Sequence, residues 1–198
     1  NETMEVVQMV LAGKVNKNLV SLLNTMGVKA VGLCGKDAGL IEVEKMPAKD
    51  GVDLGYVGRV KKINEQLLLA LQNDFVPVIA SIGTDAFGES YNVNADTAAG
   101  AIGGALKAEK LMFLTDIDGI RADEKDPKSL ITKITVSEIR NMIATGQISG
   151  GMIPKVTGCI DAIEKGISSV LILNGTVPHS ILLELFTDSG IGTMVTPG

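Results

Sequence analysis

Asn92, Asn94 and Asp96 alternate through Tyr91-Asn92-Val93-Asn94-Ala95-Asp96, where a strand pattern gives way to a helix pattern. A helix start offers free N–H groups and a partial positive charge, so it suits a carboxylate or phosphate. Asn94 is a natural N-cap, and the two side-chain amides could orient such a ligand. The same residues also read as turn formers followed by a first-turn helix acid, and spacing alone favours that reading. About twenty residues on, an apolar strand ends in Leu114-Thr115-Asp116-Ile117-Asp118-Gly119. Ligands of open α/β sheets lie beyond the carboxyl ends of strands, so Asp116 or Asp118 could meet a ribose hydroxyl or order a neighbouring lysine. An ordinary Asp-x-x-Gly turn is the alternative. The third stretch is Ser149-Gly150-Gly151-Met152-Ile153-Pro154-Lys155. Its glycines allow close backbone approach, and Pro154 belongs in a first helical turn. Lys155 there opposes the helix dipole unless an anion offsets it. A solvated surface lysine is the competing reading.

Other chemistries fail on their motifs. Gly35-Lys36 lacks the glycine and the Ser/Thr of a phosphate loop, because Ala30 and Asp37 occupy those positions. Gly100, Gly103 and Gly104 fall inside a helix rather than after a strand. His179 has no nucleophile motif around it. Cys34 and Cys159 form no CxxC pair, so zinc is not expected and a reducing compartment is. Two acids spaced two apart do not make a calcium loop, and no protein metal site is expected.

The 198 residues are 45% hydrophobic, enough for a real core. The net charge of −5 argues against nucleic acid or anionic membrane as partner. No apolar run approaches the roughly 18–20 residues that span a bilayer.

Apolar positions from Met4 to Leu22 recur at helical spacing, predicting a helix over 2–25 with Gly27 as its stop. Its apolar face is expected to be buried. The pattern then predicts a strand at 30–34, small strands or a hairpin over 38–62, a helix at 63–73 and a strand at 75–81. A polar loop at 83–90 precedes an Ala/Gly-rich helix at 94–107. A strand at 111–115, a charged loop at 121–129 and a helix at 135–145 capped by Thr135 or Ser137 follow. The last elements are a helix at 152–165, a strand at 169–173, a helix at 180–186 and a strand at 193–195. Alternating strands and helices argue an α/β sheet flanked by helices, with a lobe boundary near 109.

The three chemical stretches resemble, in order and spacing, the acetylglutamate kinase pattern of the amino acid kinase family. The resemblance continues through Met4-Glu5-Val6-Val7, Val15-Asn16-Lys17, Gly32-Leu33-Cys34-Gly35-Lys36-Asp37 and the C-terminus, essentially the whole chain. The Thr-Asp-Ile-Asp-Gly turn is shared with aspartokinases and glutamate 5-kinases; Asn-Val-Asn-Ala-Asp narrows the choice. The resemblance implies a three-layer αβα sandwich with a mostly parallel central sheet. It implies an acyl-amino-acid-binding and dimerisation lobe at 1–108 and a nucleotide-binding lobe at 109–198. The implied reaction is ATP-dependent phosphorylation of the γ-carboxylate of N-acetyl-L-glutamate, in arginine biosynthesis. Mg2+ would arrive with ATP. Asn92 and Asn94 would bind the substrate, Lys155 would stabilise the transferring phosphoryl group and Asp96 would hold the catalytic lysines. Thr115, Asp116, Gly119, Gly151, Met152 and Ile153 would line the nucleotide pocket.

His179-Ser180-Ile181-Leu182-Leu183-Glu184 and Gly190-Ile191-Gly192-Thr193 resemble the C-terminal signature of arginine-inhibited members. His179, Glu184, Gly190 and Gly192 would then hold L-arginine. Alternatively, the apolar residues pack a terminal helix and the glycines turn the chain into an edge strand. The resemblance also implies a homodimer or a hexamer built as a trimer of dimers, with a PII-type signal protein as partner in a photosynthetic organism. The implied location is the cytoplasm, or a plastid for a eukaryotic source. Family features expected upstream of Asn1 (two glycine-rich loops, another lysine and an arginine) are outside the chain, which is expected to be N-terminally truncated and incomplete for activity. Competing readings are a kinase of an aminoadipate derivative in lysine synthesis and an inactive amino-acid-sensing module.

Overall fold

Asn16 organises the first half of the structure, a computed structural model that describes residues 2–48, 51–123, 125–126, 128–187 and 190–198. It sits in a helical run made of α1 (Glu2–Gln8), a π-helical segment (Met9–Val15) and α2 (Asn16–Thr25). Only 4% exposed, Asn16 donates from Nδ2 to the carbonyls of Val78 at 2.8 Å and Leu33 at 3.3 Å. Those carbonyls belong to β1 (Ala30–Cys34) and β4 (Val76–Ala80), a parallel pair in register from Ala30↔Val76 to Cys34↔Ala80. Lys17 Nζ adds a bond to Gly32 O at 2.9 Å. The helix can lie this close because position 32 carries no side chain: a Cβ there would overlap Asn16 Oδ1 and crowd Lys17 Nζ. As the spacing predicts, Gly27 stops the helix, at φ +84°.

Within a single chain the apolar stripe is only partly covered. Among the described residues of the run, Met4 and Asn16 are buried, whereas Val6, Met9, Val10, Val15, Leu19 and Leu22 are exposed. Polar hydrogen bonds and a glycine, rather than the apolar stripe, seat the helix on β1 and β4.

The chain divides into two compact units, Asn1–Ile102 and Gly103–Gly198. Besides β1 and β4, the first holds α3 (Glu65–Leu71) and a second sheet ordered β3-β2-β5-β6. Its strands are β2 (Ile41–Lys45), β3 (Gly58–Ile63), β5 (Ile82–Thr84) and β6 (Ser90–Asn92). The hairpin expected over 38–62 is the antiparallel β2–β3 pair; Lys49 and Asp50 lie outside the described residues. The polar loop expected at 83–90 is instead the β5–β6 hairpin, whose turn Asp85 builds by accepting from the N–H groups of Phe87 and Glu89. α4 (Ala95–Ala105) follows, beginning in the first unit and ending in the second.

The second unit carries a four-stranded sheet ordered β7-β9-β10-β8. β7 (Lys110–Thr115) and β9 (Ser169–Asn174) run parallel; β10 (Thr193–Thr196) is antiparallel to β9 and parallel to β8 (Lys133–Thr135). β10 is thus an inner strand, not the edge its glycine-rich approach suggests. α6 (Met152–Glu164) and α7 (Ser180–Phe186) pack on β9, and α5 (Val136–Ala144) on β8 and α6. Thr135, one of the two expected caps, forms a capping box with Glu138. The described residues of the 121–129 loop are bridged by Arg121↔Leu130, with Glu124 and Pro127 outside them.

Gly32→Ala should therefore destabilise the protein by about 1–3 kcal/mol, the usual penalty of overpacking. Gly13→Ala, in the same helical run with open space around it, should be neutral or stabilising by up to about 1 kcal/mol. Denaturant unfolding of both variants checks this, and a wild-type midpoint for Gly32→Ala would refute the packing argument.

Candidate active site

The parallel pairing of β7 with β9 makes Thr115 and Asn174 register partners at the carboxyl ends of two strands. The ladder continues one step, with Gly175 N donating to Thr115 O at 2.8 Å. Beyond it the two chains diverge and wall a cavity of about 600 Å³. Asp116, Asp118, Gly119 and Arg121 line it from the β7 side, Asn174 from β9, and residues 147–152 with Lys155 from the approach to α6.

Two charged pairs define this cavity. Lys155 Nζ donates to Asp116 Oδ1 at 2.6 Å, with the lysine side chain 29% exposed and the aspartate 82%. The hydrogen bond from Lys155 holds the Asp116 carboxyl below its ordinary pKa. Arg121 Nη2 donates to Asp118 Oδ2 at 2.7 Å, and Asn174 Nδ2 to Asp118 Oδ1 at 2.8 Å. The Asn174 bond lowers the Asp118 pKa most; burial opposes it, and the Arg121 bond and charge lower it further. Asn174 is itself fixed, since the N–H and hydroxyl of Thr176 both donate to its Oδ1, at 2.9 and 2.6 Å.

Local backbone explains the placement. Thr115 Oγ1 bonds to both the N–H and the carbonyl of Ile117, tightening the turn. Gly119 has φ +147°, and a Cβ there would overlap the hydroxyl of the fully buried Thr193. That hydroxyl accepts from Ile120 N and donates to Ile131 O. Gly150, at φ +55°, turns the chain into α6, whose N-cap Gly151 offers no side chain to its free N–H groups. The anion that the lysine at this helix start calls for is supplied by Asp116.

Asp116, Gly119, Gly151, Met152 and Lys155 all line this one cavity. Thr115 stays in the turn beneath, and Ile153 is exposed on α6. Sequence reasoning missed Asn174, Arg121, Gln147 and Ile148. The readable signal for Asn174 was Asn-Gly-Thr at the end of a parallel strand; the expected strand stopped one residue short.

In the first unit, Asn92 ends β6 and lines a separate, largely apolar cavity of about 710 Å³ with α1 and residues 54–57. Asn94 caps α4 through Oδ1, which accepts from the N–H and hydroxyl of Thr97. Asp96 is exposed in the first turn of α4 and makes no ion pair among the described residues. Near the C-terminus, Glu184 Oε2 accepts from the N–H groups of Ile191 and Gly192 at 2.7 and 3.0 Å. Gly190 is left-handed at φ +58°, and a Cβ there would press on the Glu184 carboxylate. His179 is exposed, also left-handed, at the start of α7. Among the described residues no three His, Cys, Asp or Glu side chains are placed to hold a metal. No helix there is long and apolar enough to cross a membrane.

Residues 1–174 match the model of the amino acid kinase family. The chain belongs to that family. It is 52% identical to the acetylglutamate kinase of Halothermothrix orenii, over 98% of this chain and 68% of that protein. Among solved structures, the smu.665 protein of Streptococcus mutans UA159 shares 28% identity at a TM-score of 0.78, over all of this chain and 73% of that one. N-acetylglutamate synthase from Neisseria gonorrhoeae matches at TM-score 0.83 and 26% identity in its complex with coenzyme A and N-acetyl-glutamate, over 94% of this chain and 42% of that one. Its complex with coenzyme A and L-arginine matches at 0.72 and 27%, over 86% and 38%. The fold is the α/β sandwich of amino acid kinases.

The depressed Asp116 and Asp118 pKa values have a signed consequence. Their stabilisation is fully present above the ordinary aspartate range and is lost as pH falls through the lower folded values. Acid unfolding should therefore steepen below about pH 4. Asp118→Asn should flatten the dependence of stability on pH there without changing its slope above pH 6; an unaltered acid limb would show that the Asn174 and Arg121 bonds do not hold the carboxylate ionised.

Proposed function

We propose that the protein transfers the γ-phosphoryl group of ATP to the γ-carboxylate of N-acetyl-L-glutamate. The observation that carries the reading is Lys155, poised at the open amino end of α6 in a strand-end cavity, in a chain about half identical to acetylglutamate kinases. A substrate carboxylate oxygen attacks the γ-phosphorus, the bond to the β,γ-bridging oxygen breaks, and ADP and an acyl phosphate leave. Phosphoryl transfer of this kind needs positioning and charge stabilisation more than covalent help from the protein. Lys155 supplies charge at the transferring group, and Asp116 positions it. Mg2+ would accompany ATP and offset phosphate charge, and no side chain of this chain is assigned to hold it. Asn92 and the free amide nitrogen of Asn94 are assigned to the acyl amino acid, and Asp96 to the ordering of further catalytic groups.

Lys155→Ala should lower kcat by about 10²–10³ while leaving N-acetylglutamate binding nearly intact. Asn92→Ala should instead raise KM for N-acetylglutamate more than for ATP. Steady-state kinetics distinguish the two; wild-type turnover without Lys155 would end the assignment.

L-Arginine control at His179, Glu184, Gly190 and Gly192 belongs to the same proposal. Its support is the fold likeness to the arginine-complexed synthase and the Glu184 carboxylate, whose Oε1 remains for a guanidinium while Oε2 holds the turn. Inhibition by L-arginine should appear in the wild type and weaken in Glu184→Gln. Turnover indifferent to millimolar arginine would refute the site.

A further inference from the structure

We propose that Asp118 receives the ribose hydroxyls of the nucleotide and makes the site select ribonucleotides over deoxyribonucleotides. The proposal rests on the reading that the cavity beyond β7 and β9 takes ATP.

The two acids of the Thr115-Asp116-Ile117-Asp118-Gly119 turn have different partners. Asp116 is committed to Lys155. Asp118 is held from two sides, by Asn174 and Arg121, and Asn174 is anchored by Thr176. A carboxylate has about four acceptor positions, and these two bonds use one on each oxygen. The group is therefore oriented in advance, ionised, and able to accept again, on the wall of a cavity large enough for a nucleotide.

Charge then sorts the ligand. Asp116 can yield Lys155 to an arriving phosphate, whereas Asp118 stays fixed by Asn174 as well as Arg121, and its remaining acceptor positions suit the part of the nucleotide that carries donors and no charge. Ribose and the exocyclic amine of the base both qualify. Asp116 and Asp118 are two residues apart, so their Cα atoms lie within roughly 7 Å. Asp116 marks the Lys155 end, where the triphosphate is assigned, and the sugar is the part of ATP joined directly to the phosphates. Its vicinal diol also offers two O–H donors, and O–H donation to a carboxylate is among the stronger hydrogen bonds.

The test is equilibrium binding of ATP, 2′-deoxy-ATP, 3′-deoxy-ATP and inosine triphosphate, measured calorimetrically on wild type, Asp118→Asn, Asp118→Ala and Lys155→Ala. Wild type should bind ATP about ten- to a hundred-fold more tightly than at least one deoxy analogue. Asp118→Ala should bring ATP down to the analogue's level and leave the analogue unchanged. Asp118→Asn, nearly the same shape, should show the same convergence in weaker form if the alanine variant does not fold. Equal wild-type affinity for ATP and both analogues would overturn the proposal. So would an equal loss for all three in the variants, or lost discrimination against inosine triphosphate instead, which would assign the carboxylate to the base. A wild type that binds no nucleotide would overturn the ATP reading itself. Binding that weakens in Lys155→Ala, with no ribose discrimination, would overturn only the role of Asp118.

Discussion

The six-residue parallel register between β7 and β9 is the constraint on which the strand-end cavity depends. Parallel strands release their carboxyl ends on the same side, so Thr115 and Asn174 leave the sheet together. Val170, Leu171, Ile172 and Leu173 are almost wholly buried, so β9 is covered on both faces, as an inner strand with a parallel neighbour is. The backbone is satisfied up to Gly175. Side chains beyond that point are free to bond to one another and to a ligand.

Electrostatics at the cavity follow from the alternation of acids in one short turn. The chain is acidic overall, and a nucleotide triphosphate is more so. The turn answers this by pairing each acid with a base: Asp116 with Lys155, Asp118 with Arg121. These pairs are partly exposed, so each contributes little to stability. Their effect is orientation. Each cation is already held at the cavity wall, and an arriving phosphate can compete with Asp116 for Lys155 without moving the helix that carries it.

Much of this was legible in the sequence because strand ends and helix starts announce themselves. Thr-Asp-Ile-Asp-Gly after an apolar run and Gly-Gly before a Pro-containing first turn name both walls of the cavity. What pairs with what was not legible. Asn174 reaches Asp118 only because β7 and β9 are neighbours, and nothing local in the sequence states strand order. The short strands β5, β6 and β8 escaped for a related reason: three-residue strands have no periodicity of their own and are defined by their partners. The helical stripe from Met4 to Leu22 shows a different limit of periodicity. It has the period of a buried face, yet the contact with β1 and β4 is made by Asn16, Lys17 and the bare backbone of Gly32, residues that a hydrophobicity pattern scores as solvent-facing.

The C-terminal residues illustrate how one set of atoms supports two readings. Packing of a terminal helix accounts for its apolar residues but gives no reason for a carboxylate at Glu184. The structure supplies a reason for the carboxylate: it satisfies the N–H groups of Ile191 and Gly192 as the chain enters β10. Gly190 is required because its left-handed backbone would force a side chain against Glu184, and Gly192 because a Cβ would overlap Ile172 O on the neighbouring strand. Glu184, Gly190 and Gly192 therefore have sufficient structural cause. A ligand at Glu184 would meet a carboxylate that also pins the entry to an inner strand of the β7-β9-β10-β8 sheet.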